Sequence, residues 1–243
     1  MIISYSNDFV FIRIPKCAST TCVVGLYDMG FVNESEGDIC TGIEGDKISK
    51  DDSVRDSINW PKRHGGKTLI PLIDPNLVTH SSHVTDTRVH RQHIWHSPYK
   101  KIVEVGLIDD GMPCVSTIRH PVSRFLSITG YLSSEFKQIS SDPNETWDLF
   151  KNDYNVFGDY HDMFKVPQNY YVCEGATLFN VENTYDWIEK FTKEKGYEYI
   201  QPQHCKNFKH KQKIPLTKGR EKEIIDWFKD DFLLWEQSYR EFN

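Results

Sequence analysis

Nothing in these 243 residues is apolar for long enough to cross a membrane as a helix. No positively charged segment precedes an apolar stretch in the opening MIISYSNDFVFIRIPK, so a secretory signal is not expected. Positive charge is also in short supply. Lys and Arg number 29 against 35 Asp and Glu, a net charge of −6, which gives no global field to recruit nucleic acid or an anionic membrane. An anionic ligand would have to be held by a local arrangement of donors. The six cysteines, at 17, 22, 40, 114, 173 and 205, form no C-x-x-C and keep no regular spacing. Free thiols in a reducing, cytoplasmic compartment are the expectation. Sequons at Asn33 and Asn144 carry no weight without an export signal. Internal repeats and low-complexity tracts are missing as well.

What the chain does have is core-forming material. Fourteen Phe and twelve Tyr, within 38% hydrophobic residues, suit a packed globular protein. The length fits a single domain over 1–243. Residues 8–14 (DFVFIRI) read as a buried strand, closed by Pro15, and Ser19 to about Gly30 as a helix stopped by glycine. Residues 31–66 are polar and acidic without an apolar period, the pattern of a surface excursion. TLIPLI, LVTH, KKIVEVGLI, CVSTIR and ATLFNVEN read as further strands. Helices are expected at 84–95, from Pro121 through SRFLSITGYLSSEF, near 144–153, over TYDWIEKFTKEKG and from Thr217 to Phe242. Strands alternating with helices predict an α/β fold, a mainly parallel sheet covered on both faces.

Two segments carry chemistry. In FIRIPKCASTT, Lys16 stands between a strand and a helix opening on Ser19, Thr20 and Thr21. A helix start exposes unpaired N–H groups and the positive end of the dipole. Small residues at Cys17, Ala18 and Ser19 let an oxyanion approach the backbone, and the hydroxyls and Lys16 add donors and charge. The plain alternative is an ordinary serine or threonine N-cap. The second segment, STIRHPVSRFLS, sets Arg119 at a strand end and Ser127 on the following helix, with Arg124 and Ser127 sharing a face. A guanidinium beside a hydroxyl near a helix start suits a phosphate. For Arg124, pairing with a surface carboxylate is the plain alternative.

RIPKCASTT resembles the 5′-phosphosulfate loop of carbohydrate sulfotransferases, the Golgi-type and 2-O-sulfotransferase branch in particular. STIRHPVSRFLS is similar to the same family's 3′-phosphate motif, with His120 in place of the usual Asp or Asn and Thr129 where Tyr is frequent. The resemblance implies a P-loop NTPase-like three-layer sulfotransferase fold. It also implies 3′-phosphoadenosine 5′-phosphosulfate (PAPS) as co-substrate, adenosine 3′,5′-bisphosphate as product, and a chemistry that needs no metal. On it, Lys16 and residues Cys17, Ala18, Ser19, Thr20 and Thr21 hold the phosphosulfate, Arg119 and Ser127 hold the 3′-phosphate, and Arg13 faces the acceptor. The acceptor would be a hydroxyl, of a carbohydrate first of all.

Sulfuryl transfer to an alcohol needs a base, and His80, His83, His90, His93 and His96 crowd between the two motifs. Metal binding lacks a completing carboxylate or cysteine, and a solvated histidine face accounts for most of them. HSSHV looks like the histidine pair of the 2-O branch, which makes His83 the expected base and His80 its neighbour; Glu104 is a backup. The basic loop KNFKHKQK is ordinarily a solvated face, but the family's covering loop gives Lys209 a minor cofactor role. GGKT at 65–68 is no nucleoside-triphosphate loop, because Pro61 stands where the leading glycine belongs. Two other readings stay open: a P-loop kinase of a small substrate, and a non-catalytic nucleotide- or glycan-binding module. The sequence leaves the oligomeric state undetermined.

Overall fold

The structure is a computed structural model that describes residues 1–40, 96–135, 139–152, 160–202 and 214–242. Its strands are β1 (Ile2–Ser4), β2 (Phe9–Ile12), β3 (Ile39–Cys40), β4 (Cys114–Ile118) and β5 (Thr177–Asn180), joined in the order β3-β1-β2-β4-β5. β2, β4 and β5 pair parallel, while β1 pairs antiparallel with both β2 and β3. One strand, β1, therefore runs against the other four. It was not expected, because IIS is too short to announce itself.

The helices are α1 (Ser19–Asp28), α2 (Tyr99–Glu104), α3 (Pro121–Glu135), α4 (Pro143–Asn152), α5 (Tyr160–Lys165), α6 (Thr184–Glu194), α7 (Lys218–Trp227) and α8 (Lys229–Phe242). Side chains alternate along each strand, so the sheet buries both faces. Phe9, Phe11 and Val115 pack with Cys22, Val23 and Leu26 of α1 and Trp187 and Ile188 of α6. Val10, Ile12 and Ile118 pack on the other face with Tyr99 and Ile102 of α2 and with Leu234 and Trp235 of α8. A third cluster joins Phe125, Ile128 and Leu132 of α3 to Trp147 and Phe150 of α4, Phe164 of α5 and Ile224 of α7. The α/β expectation holds, with a sheet covered by helices on both faces.

Two local readings need correction. KKIVEVGLI does not form a strand: Tyr99–Glu104 is helical, with Tyr99 and Ile102 buried one turn apart and Lys100 exposed. Gly106, at φ 67, closes that helix, its N–H reaching Val103 O while Leu107 N–H reaches Ile102 O. The beginning of the 31–66 excursion belongs to the core. Phe31 is fully buried, Asp38 is buried and β3 extends the sheet. Asp38 accepts from Tyr5 N (2.6 Å), Ser6 N, Ser6 Oγ, Ser4 Oγ and Asn33 N, which fastens the β1–β2 turn. The rest of that excursion, TLIPLI, LVTH, GGKT and the 84–95 helix lie outside the described residues.

Candidate functional site

β2 and β4 are adjacent and parallel, with Ile12 opposite Ser116. Both end at the same edge of the sheet, and each runs through a short loop into a helix. The carboxyl ends of parallel strands are where α/β folds assemble ligand sites. The two motifs therefore meet at one sheet edge.

The first loop is held by its carbonyls. Arg13 O receives His96 Nδ1 (2.6 Å), Ile14 O receives Cys17 N (3.3 Å) and Ser19 Oγ (3.3 Å), Pro15 O receives Arg124 Nε (3.2 Å), and Cys17 O receives Thr117 Oγ1 (2.5 Å). In a trans peptide the following N–H points opposite to the carbonyl. The amides of Lys16 and Ala18 are thus turned away from Arg124 and Thr117. Lys16 (φ 66) and Ala18 (φ 55) adopt the left-handed conformation, uncommon for residues with a Cβ. Alternation of this kind gathers backbone N–H groups into an anion-binding concavity.

The N-cap of α1 is Ala18, and no side chain caps it. An ordinary serine or threonine cap is therefore not what starts this helix. The Ser19 hydroxyl is directed back to Ile14 O, and the Thr20 hydroxyl accepts from Arg13 Nη2 at 2.8 Å. Arg13 is 3% exposed, so it braces the loop from inside. Thr21 is buried in the first turn, its N–H bonded to Ala18 O. Burial pushes the Cys17 thiol up to about 11 and the Cys22 thiol up to about 12, so neither is a nucleophile near neutrality.

The second loop is gripped by its backbone. Gln168 Oε1 accepts from Arg119 N (2.9 Å), and Gln168 Nε2 donates to Arg119 O (2.9 Å). The Arg119 guanidinium and the Ser127 hydroxyl, both half-buried, have no hydrogen-bond or ion-pair partner among the described residues. His120 Nδ1 accepts from Val122 N (3.3 Å), the capping service an Asp would give. Burial against Phe232 and Trp235 lowers the His120 pKa, against the opposing pull of Glu182 and Glu221.

Arg124 does pair with a carboxylate, but a buried one and not the surface group of the plain alternative. It is 2% exposed and meets Asp231 of α8 at 3.4 Å, while also bonding Pro15 O and Val166 O. Burial pushes the Asp231 carboxyl up, against the pull of Arg124. Lys16 Nζ sits 4.4 Å from the centre of the Tyr131 ring.

His80, His83 and Lys209 lie outside the described residues. Glu104 ion-pairs with Lys101 at 2.8 Å on the surface of α2. His96 and Gln168 are the site residues that sequence reasoning missed. His96 was one histidine in a run of five, and nothing around Gln168 forms a motif. Among the described residues no group of His, Cys, Asp and Glu is arranged to hold a metal, and no helix is long and apolar enough to cross a membrane. A cavity of about 890 Å³ lies along β5 between α6 and α8, lined by Leu178, Trp187, Lys190, Glu194 and Gln237. It has no cluster of positive charge and shares no residue with the two loops, which remain the candidate site. No protein-family model, no curated protein and no solved structure matches this chain.

Proposed function

We propose that the chain is a sulfotransferase that moves the sulfuryl group of PAPS to an acceptor hydroxyl, that of a carbohydrate first of all, on a P-loop-like α/β scaffold. The observation that carries this reading is the start of α1, without a side-chain cap and next to Lys16, beside an Arg119 guanidinium with no hydrogen-bond or ion-pair partner among the described residues, just past the end of the neighbouring strand. Two cationic, donor-rich loops on neighbouring strand ends suit a nucleoside with a phosphate at each end. A single-ended nucleotide such as ATP would leave Arg119 and Ser127 without a task.

In this reading the N–H groups of residues 18–20 and Lys16 bind the 5′-phosphosulfate and stabilise charge developing on the leaving phosphate oxygen. Arg119 and Ser127 take the 3′-phosphate. Because Arg13 O can only accept, His96 Nδ1 carries the proton of their shared bond. The acceptor's hydroxyl proton goes to a histidine base, the role the family resemblance gives His83. The acceptor oxygen bonds to sulfur as the bond from sulfur to the 5′-phosphate oxygen breaks. A sulfate ester and adenosine 3′,5′-bisphosphate result, and the proton passes to that histidine. With a loose transition state of this type, positioning and charge stabilisation do most of the work.

The test is calorimetric titration with adenosine 3′,5′-bisphosphate and with ATP, followed by an acceptor screen using PAPS carrying labelled sulfate. Tighter binding of the bisphosphate and labelled product support the proposal. Preference for ATP would favour a kinase, and bisphosphate binding without transfer to any acceptor would favour a binding module.

A further inference from the structure

We propose that Gln168 is a positioning residue that fixes the spacing between the two anion-binding loops. The inference rests on the reading of those loops as the two ends of one bisphosphorylated nucleoside site. Gln168 stands in the short turn Gln168–Tyr170 after Pro167 and is fully buried. Its Oε1 accepts from Cys17 Sγ (3.0 Å), in the first loop, and from Arg119 N (2.9 Å), in the second. Its Nε2 donates to Arg119 O (2.9 Å). One amide plane therefore grips both peptide groups of Arg119 and touches the residue after Lys16.

The glutamine is itself anchored. Its backbone N–H donates to Asp231 Oδ1 at 2.6 Å, and the other carboxylate oxygen meets Arg124, which bonds Pro15 O. The result is a closed ring of contacts running Pro15, Arg124, Asp231, Gln168 and Cys17, whose thiol also meets Pro15 O, with Arg119 joined to it at Gln168. A buried glutamine needs partners only to avoid orphaned polar atoms, and any neighbouring backbone would serve. Here the partners come from two loops that sequence separates by a hundred positions and that face one ligand. A ligand touching both loops gains from their being held in register before it arrives. A ligand touching the first loop alone gains nothing from it. Gln168 thus acts on the second phosphate's contribution rather than on nucleotide binding as a whole.

The experiment measures, by calorimetry on the full chain, affinities for adenosine 3′,5′-bisphosphate and adenosine 5′-monophosphate, whose ratio reports the value of the second phosphate. In Gln168→Met that ratio is expected to fall about tenfold, with monophosphate affinity kept within about threefold. Cys17→Ala removes the link to the first loop alone and lowers the ratio in the same direction, and Cys17→Ser, which keeps a donor, restores it. If Gln168→Met does not fold, the two Cys17 variants decide. A wild-type ratio retained in folded Gln168→Met, or in Cys17→Ala, overturns the positioning role. A wild-type chain with no preference for the bisphosphate overturns the functional reading itself, a result distinct from the first.

Discussion

Lys16 Nζ stands 4.4 Å above the ring of Tyr131, so the loop's cation is drawn toward α3 and not out to solvent. Arg124, Ser127 and Tyr131 follow each other at three- and four-residue spacing and share one face of that helix. Arg124 touches Pro15, Tyr131 touches Lys16, and Ser127 lies between them. The face that carries Ser127 is the face on which the loop bearing Lys16 rests.

Replacing Lys16 with Ala removes a half-exposed charge without opening the core. The expected outcome is a folded protein with thermal midpoint within about 2 °C of wild type. Transfer is expected to fall about 100- to 1000-fold, the scale of losing one preorganised charge donor. Melting followed by circular dichroism and a labelled-sulfate assay read the two effects separately. Unchanged turnover removes Lys16 from the chemistry.

His96 holds the first loop through Arg13 O. His96→Asn keeps an N–H able to reach that carbonyl, and His96→Ala does not. The dissociation constant for adenosine 3′,5′-bisphosphate is expected to stay within about threefold in His96→Asn and to rise about tenfold in His96→Ala. Equal affinities in the two variants would remove the anchoring role.

Breaking the buried pair costs more than deleting it. Arg124→Met leaves the Asp231 carboxylate buried without its cation and is expected to destabilise by about 3–5 kcal/mol. Adding Asp231→Leu is expected to recover a measurable part of that loss. Urea denaturation of the two variants gives the comparison, and equal midpoints would contradict it.

Asp38 links stability to acid. Burial pushes its carboxyl up, but the bonds from Ser6, Asn33 and Ser4 outweigh that and hold it below the ordinary 3.8. A depressed carboxyl contributes stability that is complete above the unfolded value and is lost as pH falls through the folded one. Asp38→Asn is expected to cost about 1–3 kcal/mol at neutral pH and to flatten the decline in stability below pH 4. Denaturant midpoints taken across that acid range test both the size and the sign.

The elements legible in the sequence were those with an unambiguous period or stop. FVFI could only be a buried strand, and Pro121 and Gly196 mark helix ends by backbone chemistry alone. KKIVEVG satisfies either period over so few residues, and the choice fell to the burial of Tyr99 and Ile102 against the sheet. Lys16 and Arg119 were visible because each sits at a strand end within a recognisable spacing. Gln168 and Asp231 were not, since their roles come from contacts across 49 and 107 positions that no local pattern records. His96 was hidden for the opposite reason. Five histidines spread over residues 80–96 offered no local ground for preferring the one whose ring meets Arg13.

The parallel pairing of β2 with β4 brings together residues such as Ile12 and Ser116, 104 positions apart. β1, β2 and α1, by contrast, come from one short opening stretch and can form early from neighbouring contacts. β4 follows, its arrival carrying the large loop-closure entropy of a distant contact and bringing the Thr117 hydroxyl that holds Cys17 O in the first loop. On the proposed function, refolding followed by binding of adenosine 3′,5′-bisphosphate is expected to lag behind refolding followed by the signal of the opening hairpin and helix, because both loops are in place only once β4 has docked.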